Sequence, residues 1–197
     1  TAETGMVGLG FLPGRVASRA YDISPDGAVI VGSSSGQGRE AFRWTAESGM
    51  VGLGHLPDAA FPYSEANAVS ADGAVVVGDA YSSNSAKMAF RWTEESGMIP
   101  LGRLPGDSVS SATAVSADGS IIVGTSYPFG PSGNDRAFIW DAVHGMRNLQ
   151  DMLTDDLGLR LAGWTLRSAT DISPDGRVIV GYGINPQGNT EAFRAII

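Results

Sequence analysis

The chain has no cysteine and only two histidines, His55 and His144. The first absence excludes disulfides, thiol catalysis and cysteine-ligated metals, and it fits the cytosol and many exported bacterial proteins equally well. Basic residues are also scarce: 13 Lys and Arg stand against 21 Asp and Glu, a net charge of −8, and they are scattered rather than clustered. A protein that grips a phosphate backbone needs such clusters, so nucleic acid is excluded as a partner. No apolar run approaches the roughly 20 residues that span a bilayer, so no membrane insertion is expected. Thr1 opens no stretch of leader character, and any export signal is expected to have been removed or never to have been in the chain.

Glycine, by contrast, is plentiful, with 27 residues beside 10 prolines, a turn-rich composition short of low complexity. Laid against itself, the chain resolves into four copies of one pattern. Ala20 to Gly32, reading AYDISPDGAVIVG, returns as Ala66 to Gly78, Ala112 to Gly124 and Ala169 to Gly181, with the turn glycines Gly27, Gly73, Gly119 and Gly176 spaced 46, 46 and 57 residues apart. Each copy continues into Ala-Phe at Phe42, Phe90, Phe138 and Phe193, and three then reach Gly-Met at Gly49, Gly97 and Gly145.

One copy reads as four short strands. The first ends in Ala-x-x-(Ile/Val)-Ser, the second is Ala-Val-Ile-Val-Gly, the third Ala-Phe-Arg-Trp-Thr and the fourth Met-Val-Gly-Leu-Gly. Ser-Pro-Asp-Gly or Ser-Ala-Asp-Gly joins the first two, where glycine tolerates positive φ and the Asp carboxylate can bond its own turn. A four-stranded antiparallel meander of about 48 residues, repeated around an axis, is a β-propeller blade; a linear β-solenoid is the competing form.

The ends favour a ring. The fourth copy stops after its third strand, and the chain opens with a spare fourth strand, Gly5-Met-Val-Gly-Leu-Gly10. The expected fold is therefore an all-β, four-bladed propeller of one domain, residues 1–197, with repeats at about 15–57, 58–105, 106–153 and 154–197 plus 1–14. Residues 5–10 would complete the last blade and remove its bare edge. Ala20, Ala66, Ala112 and Ala169 would suit the narrow centre of so small a ring. The one insertion, 148–167, carries apolar residues at i, i+3, i+4 spacing and predicts a short helix near 148–157.

The motif Ala-x-x-Val-Ser-x-Asp-Gly-x-x-Val-Val-Gly, followed by Ala-Phe-Arg-Trp and Gly-Met-x-x-Leu-Gly-x-Leu-Pro, resembles the bacterial repeat family named "probable extracellular repeat, HAF type" over almost the whole chain. Copies 20–57, 66–105 and 112–149 match well, and 163–181 looks like a closing repeat. The resemblance implies an exported, extracellular or cell-surface protein and no assigned catalytic residues.

In a blade, the one-to-two and three-to-four turns share one face, and the two-to-three and four-to-one connections share the other. The near-identical turns thus lie together, and the divergent loops 58–65, 79–88, 125–136 and 182–191 lie opposite them. Variable loops on a rigid frame are where function usually sits. They carry Phe61, Tyr63, Tyr81, Tyr127, Phe129 and Tyr182 with acids nearby. Tyr63, Asp79, Tyr81, Tyr127, Phe129 and Asp135 are the expected ligand-binding residues, for a glycan or a surface protein; the competing reading is that these rings merely cap the blade ends.

Trp44, Trp92 and Trp140 recur in phase with the Phe two residues before and read as inter-blade packing, with Trp164 of the insertion standing in where the fourth copy has Ala195. The turn aspartates Asp26, Asp72, Asp118 and Asp175 lie a blade apart and cannot converge on one cation wanting about six to eight oxygens, so they read as turn formers. The histidines occupy non-equivalent positions, and Glu47, Glu94 and Glu95 read as solvated turn residues. No catalytic residue, metal or cofactor is expected. The rival readings are a polysaccharide-acting enzyme at the channel mouth, using Asp79 and Asp135 as its acid pair, and a purely structural spacer.

Overall fold

The computed structural model describes residues 5–129 and 134–197; residues 130–133 of the loop 125–136 lie outside the described residues. It is all-β apart from one short helical segment. Three four-stranded antiparallel meanders follow one another, β1 to β4 (Arg15–Ile23, Ile30–Gly36, Gly38–Thr45, Gly49–Gly52), β5 to β8 (Ser64–Val69, Val76–Tyr81, Lys87–Thr93, Gly97–Gly102) and β9 to β12 (Val109–Val115, Ile122–Tyr127, Arg136–Asp141, Gly145–Asn148). The fourth sheet has three strands, β13 to β15 (Thr165–Ile172, Val178–Ile184, Thr190–Ile196). Between them, Leu149–Asp151 (α1) runs into a wider helical turn over Met152–Asp156, with the Asn148 side chain capping Gln150 N–H. This is the predicted helix.

The turn between the first two strands is built by its signature. Asp26 Oδ1 accepts from Ser24 Oγ at 2.6 Å and from Ala28 N–H at 3.0 Å, while Ser24 Oγ accepts from Val29 N–H at 2.9 Å. The same set recurs around Asp72, Asp118 and Asp175. Gly27, Gly73, Gly119 and Gly176 all hold positive φ, the left-handed region that a side chain disfavours.

A second repeated device lies one strand further on. In each first strand one residue drops out of register, Tyr21, Asn67, Thr113 and Thr170 in turn, giving a β-bulge opposite the glycine of the second strand. A Cβ at Gly78 would sit 1.9 Å from the Glu65 carbonyl oxygen, and Gly32 and Gly181 are as tight. At Gly124 and Gly181 the same atom would also meet the ring of Phe138 or Phe193, which lies across the glycine.

Three buried clusters join successive sheets. Val29, Val31 and Leu56 of the first meander meet Ala66, Val76 and Phe90 of the second. Val75, Val77 and Leu104 meet Ala112, Ile122 and Phe138. Val123 and Ile139, with Leu149 and Leu153 of the helical insertion, meet Leu166, Ala169 and Ile179. Ala66, Ala112 and Ala169 are thus packed into the clusters shared with the preceding sheet. Phe90 and Trp92 pack into the first of these clusters and Phe138 and Trp140 into the second, as the shared phase predicts. Trp164 and Ala195 pack against the third together, which fits the substitution expected there.

The expected ring closure is not formed. Residues 5–10 carry no strand, β15 has no fourth-strand partner, and no buried cluster among the described residues joins the fourth sheet to the first. The two ends are not brought together. Gly10 O accepts from Ser18 Oγ and Leu12 N–H donates to Ser34 Oγ, the bonds by which Gly54, Gly102 and Leu104 also meet the sheet that follows them, but among the described residues the fourth sheet packs on the third and on the helical insertion and not on the first.

Gly78→Ala is expected to destabilise the fold by about 3 kcal/mol, the upper end of overpacking costs, while Gly8→Ala, where added volume meets open space, stays near neutral. Urea midpoints check this; equal midpoints would mean that the bulge relaxes freely. Bonds from Ser116 Oγ and from the Ser120 N–H and hydroxyl hold the Asp118 carboxyl down at about 2. A folded value below the unfolded one contributes stability above the ordinary carboxylate range and loses it as pH falls toward 2. Asp118→Asn should therefore flatten part of the acid limb between about pH 4 and pH 2; an unchanged limb in pH-stepped urea melts would overturn the assignment.

Candidate functional site

The ends of the second strands, the starts of the third strands and the approaches to β5, β9 and β13 meet on the long-loop face, as the blade geometry requires. Tyr63 just before β5 and Tyr81 at the end of β6 stack with centroids 4.7 Å apart. Lys87 at the start of β7 places Nζ 4.7 Å from the Tyr63 ring centre, and the Arg39 guanidinium lies 5.5 Å from it. Such cation–ring contacts contribute about 0.5–2 kcal/mol depending on exposure. The Tyr63 hydroxyl donates to Glu65 at 2.6 Å, and Arg39 Nη1 pairs with the same carboxylate at 2.9 Å.

Asp79 is 4% exposed, and only its Oδ1 accepts hydrogen bonds. Ser111 Oγ donates to its Oδ1 at 2.8 Å, Asn67 Nδ2 approaches the same atom at 3.5 Å, and Lys87 Nζ lies 2.9 Å from Oδ2, as an ion pair rather than a directed hydrogen bond. The bulge explains Asn67. Displaced from the ladder, it reaches the next sheet and donates to Ala112 O at 2.8 Å, as Thr113 does to Ala169 O at 2.7 Å.

The electrostatics follow from these contacts. Burial alone would lower the Lys87 ammonium, but the Asp79 carboxylate and the Tyr63 hydroxyl hold it well above its ordinary value. Burial would raise Glu65, yet the Tyr21 and Tyr63 hydroxyls and Arg39 keep it below the usual range. Burial, together with the bond to Glu65, pushes the Tyr63 phenol up. Tyr127 is also raised, by burial first, with the Lys87 charge opposing and the Asp79 and Asp135 charges adding.

Three of the six expected residues, Tyr63, Asp79 and Tyr81, therefore lie in one neighbourhood, joined through Lys87 and the ring stack; Tyr127 ends β10 opposite Val109. Phe129 is 66% exposed. Asp135 is half-buried, and its carbonyl accepts from Arg167 Nη1. The expectation missed Arg39, Glu65 and Lys87, which tie the tyrosines down. A signal was present: Arg39, Lys87 and Asp135 occupy one position of the repeat, two residues before Ala-Phe. Beside the rings, Ser35, Gly36, Gly38, Phe61 and Pro62 line a shallow groove with Arg39, Tyr63 and Tyr81.

Elsewhere the polar groups serve local structure. His144 Nδ1 lies 2.9 Å from Asp141 in an exposed turn, and Arg147 bridges Asp141 and Asp156. His55 contacts the Arg39 carbonyl. Glu47, Glu94 and Glu95 are exposed. No group of three or more His, Cys, Asp or Glu among the described residues could hold a metal ion.

No protein-family model matches the chain, and no curated protein matches it. Among solved structures it is similar to "putative TolB from Agrobacterium tumefaciens", with 18% identity and a TM-score of 0.57 over 92% of this chain. The chain spans 58% of that structure's length. At this identity the likeness concerns fold alone, and it identifies the row of meanders as propeller-like.

Lys87→Met is expected to cost about 1–2 kcal/mol, less than the loss of a fully buried partner, because the ammonium retains solvent. The double variant Lys87→Met/Asp79→Leu should recover much of it in urea melts. An unaltered midpoint in the single variant would show that Asp79 does not need its counter-ion.

Proposed function

We propose that this chain is a non-catalytic binding module of an extracellular or surface-displayed bacterial protein, engaging a glycan or a surface protein through its long-loop face. The observation that carries the reading is the Tyr63–Tyr81 stack, which edges an open groove and is held by Arg39, Glu65 and Lys87, with Arg39 itself part of the groove lining. Rings held rigidly lose little entropy when a ligand stacks on them, and flanking polar groups orient it. Phe129, exposed near Tyr127, extends the apolar surface. The resemblance to the extracellular repeat family supports the location.

The rival reading, a polysaccharide-acting enzyme using Asp79 and Asp135, is disfavoured by one specific observation. A general acid needs a carboxyl free to take and give a proton, and Asp79 is held by Ser111, Asn67 and Lys87. The spacer reading leaves the exposed groove without a role.

The test is a glycan array joined to a pull-down from bacterial surface extracts, using the chain and the variant Tyr63→Ala/Tyr81→Ala. Binding should weaken at least tenfold in the variant, the equivalent of about 1.4 kcal/mol. Retained binding would remove the site from this groove; turnover of any glycan would replace the binding reading with the enzymatic one.

A further inference from the structure

We infer that this chain associates head to tail, with residues 5–10 of one copy adding as the fourth strand to β15 of a second copy. Three independent features meet at this contact.

The first is the register. Gly5-Met6-Val7-Gly8-Leu9-Gly10 repeats Gly49-Met50-Val51-Gly52-Leu53-Gly54, which pairs Trp44 with Met50, Arg43 with Val51 and Phe42 with Gly52. Carried to the fourth sheet, the same register sets Met6 opposite Ala195, Val7 opposite Arg194 and Gly8 opposite Phe193.

The second is a matched vacancy. Met98 packs into the cluster between the first two sheets beside Trp92, and Met146 packs against the next beside Trp140. Beside β15 lies an apolar groove lined by Leu153, Leu161, Trp164, Phe193 and Ala195, at the place the equivalent methionine would take. Met6 itself is 98% exposed and Val7 64%. A solvated strand-forming segment and an unpaired strand edge are the two halves of a β-addition.

The third decides between one chain and two. The segment leads into the first sheet, and no buried cluster among the described residues spans from that sheet to the fourth. The first sheet also shows the face that a preceding blade would cover: Ile23 is 53% exposed where Val69 and Ile172 are 7%, and Gly27 has nothing within 4 Å, where Gly73 and Gly119 rest on Val29 and Val75 of the preceding sheet. A second copy brings its fourth sheet to that face as its β15 takes the strand. The contact is heterologous, joining unlike surfaces.

The absence of native cysteine makes the test direct. Val7→Cys and Arg194→Cys are mixed as separate chains and oxidised, with Arg43→Cys/Val51→Cys in a single chain as the control that this register can be bridged. A covalent dimer in the mixture well above that of either single variant alone, reduced at least tenfold by adding Met6→Asp to the Val7→Cys chain, is the expected result. An intrachain disulfide in monomeric Val7→Cys/Arg194→Cys, with no dimer in the mixture, would overturn the proposal in favour of closure within one chain. No cross-link in either, with the control bridged, would overturn it outright.

Discussion

The close approach of the second strand to the bulged first strand is the constraint on which the rest of this molecule depends. With a carbonyl oxygen less than a bond length and a half from where a Cβ would sit, only glycine fits at positions 32, 78 and 181. That approach lets a phenylalanine of the third strand lie flat over the glycine, as at Gly124 and Gly181. It also throws one residue of the first strand out of the ladder. The ejected side chain becomes the bond to the next sheet, Asn67 to Ala112 and Thr113 to Ala169. One glycine per copy therefore sets the curvature within a sheet and the joint between sheets.

The turns add a second layer of joints on the opposite face. Ala71 N–H donates to Ala117 O and Ala117 N–H to Pro174 O, both at 3.0 Å, so successive Ser-x-Asp-Gly turns are tied edge to edge. Each of their aspartates gives its Oδ1 to its own turn, and the four carboxylates lie a sheet apart and do not converge. Rigid turns on one face and rigid interfaces between sheets leave the long loops free to differ among copies without loosening the frame.

Much of this was legible in the sequence because the repeat supplies four readings of each position. The strands, the hairpin turns, the Phe and Trp packing phase and the helix after Asn148 all follow from period and punctuation. The bulge did not, since Ala-x-x-Val read with a period of two looks like an unbroken strand, and only the partner strand reveals the extra residue. Ring closure was inferred from matching pieces of sequence, but matching strands say what can pair, not within which molecule. At the site, the tyrosines stood out as aromatics on variable loops, while Arg39, Glu65 and Lys87 resembled ordinary surface charges until cross-sheet geometry paired them.

Charge distribution sharpens what the long-loop face can recognise. Four ion pairs lie on it, Arg15–Glu40, Arg39–Glu65, Lys87–Asp79 and Arg136–Asp107, so its acids and bases largely neutralise one another. The opposite face carries the turn aspartates and exposed Glu47, Glu94 and Glu95, with Arg43, Arg91 and Arg177 set among them. A ligand approaching the long loops meets little net field and would be selected by ring stacking and short hydrogen bonds. Binding of that kind depends weakly on salt, because no counterions are released, and it favours uncharged, hydroxyl-rich or apolar surfaces over phosphate or polyanion.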